Sequence, residues 1–293
     1  MKTRFARLTD LYLNKPECVI RLPEWLLPPD KIERYRSLSN LAVVEIAGRD
    51  SVAAAVKIVE ERGYTDLIPT YAYTATEYGK WESVGNAVTR LSRRLPETRV
   101  HDLVVLGSPG FWRALSGRFV QQLISAYGFY TPCIGCHLYL HTVRIPFSLV
   151  LGGVPVIAGE RERHDGRIKV NQIAEVLDGY EQISDAFGVS LLFPLRHMEA
   201  GRQITELLGF EWSEGKEQLG CVFSGNYLCE EGAVKVSAGQ IRAFLEGFAK
   251  PCAEAIVSSY IQGYIPDHID IGRRILEHSK NGNHRPAYGI EKG

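Results

Sequence analysis

The sequence predicts an α/β protein built on a doubly wound parallel sheet, with an N-terminal arm and a helical C-terminal extension. Three observations predict it. Short apolar runs rich in β-branched residues alternate with stretches of helical spacing, the pattern of strand, crossover helix and strand. The runs lack polar alternation, so both faces of each strand are expected to be covered, as in a parallel sheet. Their carboxyl ends carry glycine or polar clusters, at the edge where open parallel sheets hold ligands.

The first crossover is the clearest. Leu41-Ala42-Val43-Val44-Glu45-Ile46 reads as a buried strand, and Ser51 to Glu61 as an apolar helix that stops at Gly63. Between them, Ala47 and Gly48 let the backbone approach a ligand. Asp50 and Ser51 stand at the helix start, where free N–H groups and the positive end of the helix dipole favour an anion. A phosphate cradle follows; an ordinary turn capped by Asp50 is the plainer reading of the same residues.

Before this unit, residues 1–39 contain four prolines and scattered large apolar side chains, so they read as an extended arm with a short helix at Asp30 to Ser37 and a lone thiol at Cys18. After it, Asp66 to Tyr73 is a second strand. Its carboxyl end, Tyr73 to Trp81, offers Thr74, Thr76, Glu77 and Tyr78 to a pocket or to loop packing. Glu82 to Leu95 has helical spacing, and the basic run Arg90 to Arg99 is a solvated face or a nucleic-acid contact. Asp102 to Gly107 is a third strand, and Phe119 to Tyr127 a helix.

Thr131 to His141, TPCIGCHLYLH, places Cys133 and Cys136 at a spacing that can aim both sulfurs at one metal. A redox dithiol, half of a zinc site and two ligands of an iron–sulfur cluster all fit this spacing. Cys221 and Cys229 are the distant candidates for a further ligand, and His137 and His141 lie close by in sequence.

Ile145 to Ala158 reads as two buried strands around a turn. The second, Gly152 to Gly159, ends in Glu160-Arg161-Glu162-Arg163-His164-Asp165, where Arg161 can meet phosphate and Asp165 can hold a metal or orient a nucleophile. Val189 to Arg196 is the last strand, followed by a helix from Met198 to Leu208. Gly239 to Tyr264 reads as an amphipathic helix pair, whose Phe244, Phe248, Ile256 and Tyr260 would line a homodimer interface or an internal core. Ser279 to Gly293 reads as a tail.

Composition bounds the partners. The chain has 293 residues, 45% of them hydrophobic, enough to bury a sizeable core. Lys plus Arg equals Asp plus Glu at 34 each, so no global field draws it to nucleic acid or anionic membrane. The N-terminal residues lack the apolar core of a signal peptide, and no stretch reaches the roughly 18 apolar residues of a membrane span. A cytoplasmic protein is expected, in which the six cysteines are thiols or metal ligands rather than disulfides.

Ile46-Ala47-Gly48-Arg49-Asp50-Ser51 resembles the Ser-Gly-Gly-x-Asp-Ser loop of the PP-loop ATP pyrophosphatase superfamily, the adenine nucleotide alpha hydrolase-like proteins. Gly48, Asp50 and Ser51 fall on the family's positions; Ile46 and Ala47 depart from them, which removes one hydroxyl contact to phosphate. The order of loop, Cys133-x-x-Cys136 and Cys221 is similar to that of the iron–sulfur-dependent sulfurtransferase branch, which includes tRNA thiolases.

The resemblance implies a HUP-like, Rossmann-type domain over residues 40–230, with 231–293 as the helical extension and tail. It implies ATP and Mg²⁺ at Ala47, Gly48, Arg49, Asp50 and Ser51, assisted by Thr74 and Arg161, with Ser51, Asp50 and Asp165 as the catalytic set. It implies a [4Fe-4S] cluster on Cys133, Cys136 and Cys221, with Cys229 as the alternative third ligand. The acceptor would be a small molecule or tRNA, the balanced charge favouring the former. An adenylating ligase of the same fold, a cluster-dependent desulfidase, and a non-catalytic nucleotide-binding or redox-sensing protein are the alternatives.

Overall fold

The computed structural model describes residues 29–280, apart from 214, 215 and 235. Most of the arm, with Cys18, and the tail from residue 281 lie outside the described residues. The first half of the chain runs α1 (Pro29–Arg36), β1 (Leu41–Glu45), α2 (Arg49–Arg62), β2 (Asp66–Tyr73), β3 (Glu77–Tyr78), α3 (Glu82–Arg94), β4 (Arg99–Val100), β5 (Val104–Gly107), α4 (Pro109–Ser116) and α5 (Val120–Tyr127). The second half runs α6 (Pro132–Thr142), α7 (Ile145–Val150), β6 (Val156–Ile157), α8 (Ala174–Ala186), β7 (Leu191–Leu192), α9 (Gly201–Leu208), β8 (Gly220–Cys221), α10 (Ala238–Phe244), α11 (Lys250–Ile261) and α12 (His268–Lys280).

The main sheet has six strands, all pairing in parallel. β1 lies at its centre, between β2 and β6; β2 pairs with β4 at its start and β5 at its end, and β7 lies beyond β6. The chain therefore winds one way from β1 to β5 and the other way from β6 to β7. The switch point falls between the carboxyl ends of β1 and β6, where an open α/β sheet forms a crevice. β3 and β8 pair antiparallel in a separate two-stranded ribbon.

Every residue of β1 is buried, and its alternate side chains feed two cores. Ala42 and Val44 pack against Val52, Ala53 and Val56 of α2, Leu91 of α3 and Ile204 of α9. Leu41 and Val43 face the other core, with Phe111, Leu138, Tyr180 and the C-terminal helices. Phe244, Phe248, Ile256 and Tyr260 belong to that second core and are buried within the chain.

Three expectations are corrected, and one helix is added. Ile145 to Val150 is a helix, not the first of two strands: an apolar run buried on all sides has no period, and Pro146 suits a first helical turn. The helix over Ala174–Ala186, not read from the sequence, is the crossover between β6 and β7. The expected pair from Gly239 to Tyr264 is one helical path, with a π-type segment at Leu245–Ala249 between α10 and α11. Pro251 accounts for it, because its ring would press on the Gly247 carbonyl in a regular α-helix. Ser279 is no tail residue: it lies in the last turn of α12 and donates its hydroxyl to the Gly247 carbonyl oxygen at 2.7 Å.

At the start of α12, His268 Nε2 lies 2.7 Å from Tyr260 Oη, which itself bonds Ser108 Oγ at 2.7 Å. Burial lowers the His268 pKa from 6.5 to about 4, so the neutral ring is the one that docks. An unfolded chain takes up that proton near pH 6.5, so the stability from this contact is complete above 6.5 and is lost as pH falls towards about 4. Between those values the urea midpoint is expected to fall more steeply for the wild type than for His268→Gln.

Candidate functional site

The loops that leave β1 and β6 at the switch point wall a cleft of about 1550 Å³. Ala47, Gly48, Arg49, Asp50, Ser51, Arg161 and Asp165 all line it, as do His137, Glu160 and Gln218. Thr74 does not: it is buried, and its hydroxyl pairs with Thr76 Oγ1 at 2.8 Å.

The β1–α2 loop is closed around one hydroxyl. Ser51 Oγ accepts from Ala47 N at 2.9 Å and Gly48 N at 3.0 Å, and donates to the Gly48 carbonyl oxygen at 2.8 Å. The next amide, Arg49 N, donates to Gln218 Oε1 at 3.2 Å, so a side-chain carbonyl takes the place an anionic oxygen would take at a helix start. Gly159, at the end of β6, lies against this turn: a β-carbon there would stand 2.5 Å from Ser51 N.

Arg161 turns inward rather than toward a phosphate. Its side chain is 1% exposed, and its Nε donates to Asp50 Oδ2 at 2.9 Å. Nη1 donates to the carbonyls of Met198 and Glu199, both at 3.2 Å, and Nη2 reaches His164 Nδ1 at 3.0 Å. The other Asp50 oxygen pairs with Arg49 Nε at 3.0 Å. Asp50 and Arg161 thus tie α2 to the loop after β6. Burial first, then Lys169 and Arg161, lowers the His164 pKa to about 4.

From His164 the polar chain continues inward. His164 bonds Gln172, and Gln172 Nε2 donates to Glu160 Oε2. Glu160 Oε1 accepts from His137 Nδ1 at 2.8 Å and lies 3.3 Å from His141 Nε2. His141 Nδ1 donates to Glu45 Oε1 at 2.7 Å, which Arg144 Nη1 approaches at 3.3 Å. Burial alone would raise the Glu160 carboxyl, but His137 and His141 outweigh it and hold the group well below the carboxylate range. Burial likewise opposes charge on His141, yet Glu45 and Glu160 lift its pKa to about 9. Among the described residues, His137, His141 and Glu160 are the group of three potential metal ligands whose atoms all lie within 4.8 Å.

The cysteines stand one helical turn away. Thr131 caps α6, accepting from Cys133 N at 3.3 Å, and Pro132 opens its first turn, so Cys133 and Cys136 occupy the helix start. Gly135 lets α6 approach the end of α4, where a β-carbon would lie 2.6 Å from the Leu115 carbonyl oxygen. Trp112 Nε1 donates to Cys136 Sγ at 3.2 Å, and Cys133 Sγ lies 3.4 Å from Asn226 Oδ1.

Cys221, on β8, sits 3.3 Å from Thr76 Oγ1. Burial is the main reason the Cys133 thiol rises to about 11 and the Cys136 thiol still higher, and Cys221 adds to both shifts. Cys229 instead belongs to the turn closed by Gly232 N donating to its carbonyl, with Glu231 as its side-chain partner. The structure thus brings Cys133, Cys136 and Cys221 within electrostatic reach, although their sulfurs form no group as tight as the His–Glu set.

Two further candidates have local partners. Asp165, exposed and with φ at 52°, accepts from Gly201 N at 2.8 Å through Oδ1 and so caps α9. In the basic run, Arg90 pairs with Glu217 and lies 4.7 Å from the Trp212 ring centre, while Arg94 donates to the last carbonyls of α9 and to Glu60.

Sequence reasoning noticed His137 and His141 only as neighbours of the thiols and missed their partnership with Glu160 and Glu45. The available signal was His-x-x-x-His inside a helix, which puts both rings on one face. Among the described residues, no helix is long and apolar enough to cross a membrane.

No family model matches the chain. It is 37% identical over 246 residues to the uncharacterized protein MJ0009 of Methanocaldococcus jannaschii, and the aligned stretch covers 82% of this chain and 87% of that protein. At that identity over most of both chains, the protein belongs to the same family as this archaeal protein.

Proposed function

We propose that the protein is an ATP-dependent, AMP-forming sulfurtransferase that adenylates a carbonyl oxygen of a small-molecule acceptor and replaces that oxygen with sulfur. The observation that carries the reading is that Cys133, Cys136 and Cys221 lie within electrostatic reach of one another, the first two at the start of the helix whose His137 lines the cleft that opens on the β1–α2 turn. The cleft is large enough for a nucleotide together with an acceptor.

The thiols suit a [4Fe-4S] cluster in donor type. Each thiolate of such a cluster binds a different iron, so its sulfurs stand wider apart than the ligands of a single ion. The indole N–H of Trp112 on Cys136 and the Thr76 hydroxyl by Cys221 are contacts of the kind that tune such ligands. When bound, the cluster supplies a soft site that handles sulfur without releasing it to solvent.

The chain's own residues would divide the remaining work. The first turn of α2 faces the cleft with its amides and dipole, so the triphosphate of Mg²⁺-ATP settles there once the Gln218 carboxamide swings aside. Ser51 keeps the loop in shape through its three hydrogen bonds, and Asp50 holds α2 against Arg161. The acceptor oxygen attacks the α-phosphorus, and pyrophosphate leaves with its charge spread over the helix start. Sulfide then adds at the activated carbon, and the C–O bond breaks to release AMP.

The test is anaerobic reconstitution with ferrous iron and sulfide, followed by ATP and a panel of carbonyl-bearing acceptors, small molecules and tRNA among them. Bound iron of about four per chain is expected. Cys133→Ser and Cys221→Ser should each lower it at least about tenfold while ATP binding stays unchanged. Ser51→Ala should lower AMP formation by about tenfold or more with iron retained. Full iron loading in Cys221→Ser, or AMP released with no thiolated product, would overturn the proposal, the latter in favour of an adenylating ligase.

A further inference from the structure

We infer that His137, His141 and Glu160 form a separate metal centre, which takes one divalent ion of the zinc class and turns an open coordination position toward the cleft. The inference does not depend on the sulfurtransferase reading, whose chemistry leaves these three residues unused.

Spacing and placement assemble the site. His137 and His141 are four residues apart on α6, so their rings stack one turn apart on one face. Glu160 meets them from the end of β6. The ligand atoms all lie within 4.8 Å, with His137 Nδ1 at 2.8 Å and His141 Nε2 at 3.3 Å from Glu160 Oε1. Ligands held about 2.0–2.2 Å from a tetrahedral ion stand roughly 3.3–3.6 Å apart, so the His141–Glu160 spacing fits as it stands and the His137–Glu160 contact must open by about half an ångström. The protons on His137 Nδ1 and His141 Nε2 leave to solvent as the ion enters.

An orphaned atom points the same way. The His141 side chain is 1% exposed, yet its Nε2 makes no hydrogen bond: Glu160 Oε1 lies 3.3 Å away but out of line with it. A buried ring N–H left so costs stability, and an ion that displaces its proton removes that cost. The supporting groups are already in place. Glu45 accepts from the far nitrogen of His141 at 2.7 Å, the carboxylate-behind-histidine arrangement that orients a metal-binding ring. Gln172 likewise holds the second oxygen of Glu160.

Two imidazoles and one carboxylate select zinc, iron or cobalt over magnesium or calcium, which prefer oxygen alone. Three protein ligands leave a fourth position, and His137, half-buried in the cleft wall, places it on the cleft side. Glu160 directly follows Gly159, which lies against the first turn of α2. A phosphate oxygen, or water in its absence, is therefore the fitting fourth ligand.

Cobalt(II) titration of chelator-treated, full-length protein tests the inference, with zinc(II) as competitor. One equivalent is expected, with visible ligand-field bands and without the intense near-ultraviolet band of sulfur-to-cobalt charge transfer. His137→Ala, at the cleft wall, should weaken binding by about 100-fold, and Glu45→Gln by about 10–100-fold, both checked for folding by circular dichroism. The double variant Cys133→Ser, Cys136→Ser should bind cobalt as the wild type does, whatever its iron content. A sulfur-to-cobalt band that disappears in the cysteine variant, unchanged affinity in folded His137→Ala, or no uptake at millimolar metal would overturn the site. A failure of iron loading or AMP formation would leave this result standing and would fall on the sulfurtransferase reading alone.

Discussion

Arg161→Met is expected to lower the free energy of unfolding by about 3–5 kcal/mol, the cost of removing one partner from a buried ion pair. Methionine keeps most of the volume, so the loss is not that of a cavity. What disappears is a guanidinium that bonds Asp50 Oδ2, the Met198 and Glu199 carbonyls just before α9 and His164 at once. Asp50 would be left facing a buried apolar side chain. Arg163, two residues on, supplies the contrast: it pairs with Glu199 at 3.4 Å with both side chains about two-thirds exposed. Arg163→Ala should therefore change stability by less than about 0.5 kcal/mol.

Urea unfolding with unchanged slope would measure both effects. A double variant, Arg161→Met with Asp50→Asn, should recover part of the loss, because a carboxylate left with Arg49 as its remaining ion-pair partner goes with it. Equal stability of the Arg161 and Arg163 variants would mean that the Asp50 link holds nothing together. The same experiment bears on how a fall in ATP turnover is read. On the proposed reading Asp50 would act through the position of α2, so its variants should lose nucleotide binding in proportion to the loss of that position.

This inward turn of Arg161 shows where reading residues in a line runs out. The β1 strand, its turn and α2 were legible because three local signals coincide there: a β-branched run, small residues and a polar helix start. β2 and β5 were legible for the same reason. The polar burst after β6 reads as charged groups free to meet phosphate or a metal, because composition alone does not show their partners. Glu160 and Arg161 are buried nonetheless, since Gly159 brings the chain against α2 and each charge meets an opposite partner supplied from elsewhere in the sequence.

Partnerships of that kind carry no local signature. Glu45 and His141 are separated by 96 positions, and Asp50 and Arg161 by 111. Ile145 to Val150 failed differently: a run buried on every side has neither the period of a strand nor that of an amphipathic helix, and Pro146 was the one residue that spoke for a helix. Cys133 and Cys136 were found by spacing, but the sulfur near them comes from a loop whose path depends on the pairing of β8 with β3.

The junction between the two halves of the sheet gives the other large effect. Gly159→Ala is expected to destabilise the protein by about 1–3 kcal/mol and to weaken nucleotide and cobalt binding together. The added carbon would lie 2.5 Å from Ser51 N, 2.6 Å from Asp50 C and 2.7 Å from Asp50 O. All three are backbone atoms of the first turn of α2, so no side chain can swing away to make room. Either α2 or the end of β6 must shift, and with them move the amides of the loop and the carboxylate of Glu160.

Gly85 in α3 is the control of opposite sign. Nothing lies within 4 Å of a carbon added there, so Gly85→Ala should stabilise the helix by up to about 1 kcal/mol. Thermal melts of the two variants, read beside ATP and cobalt titrations, separate a general response to lost glycine from the close approach at the switch point. If Gly159→Ala melts and binds as the wild type does, the ends of β1 and β6 are too far apart for one ligand to span the helix start and the His–Glu group.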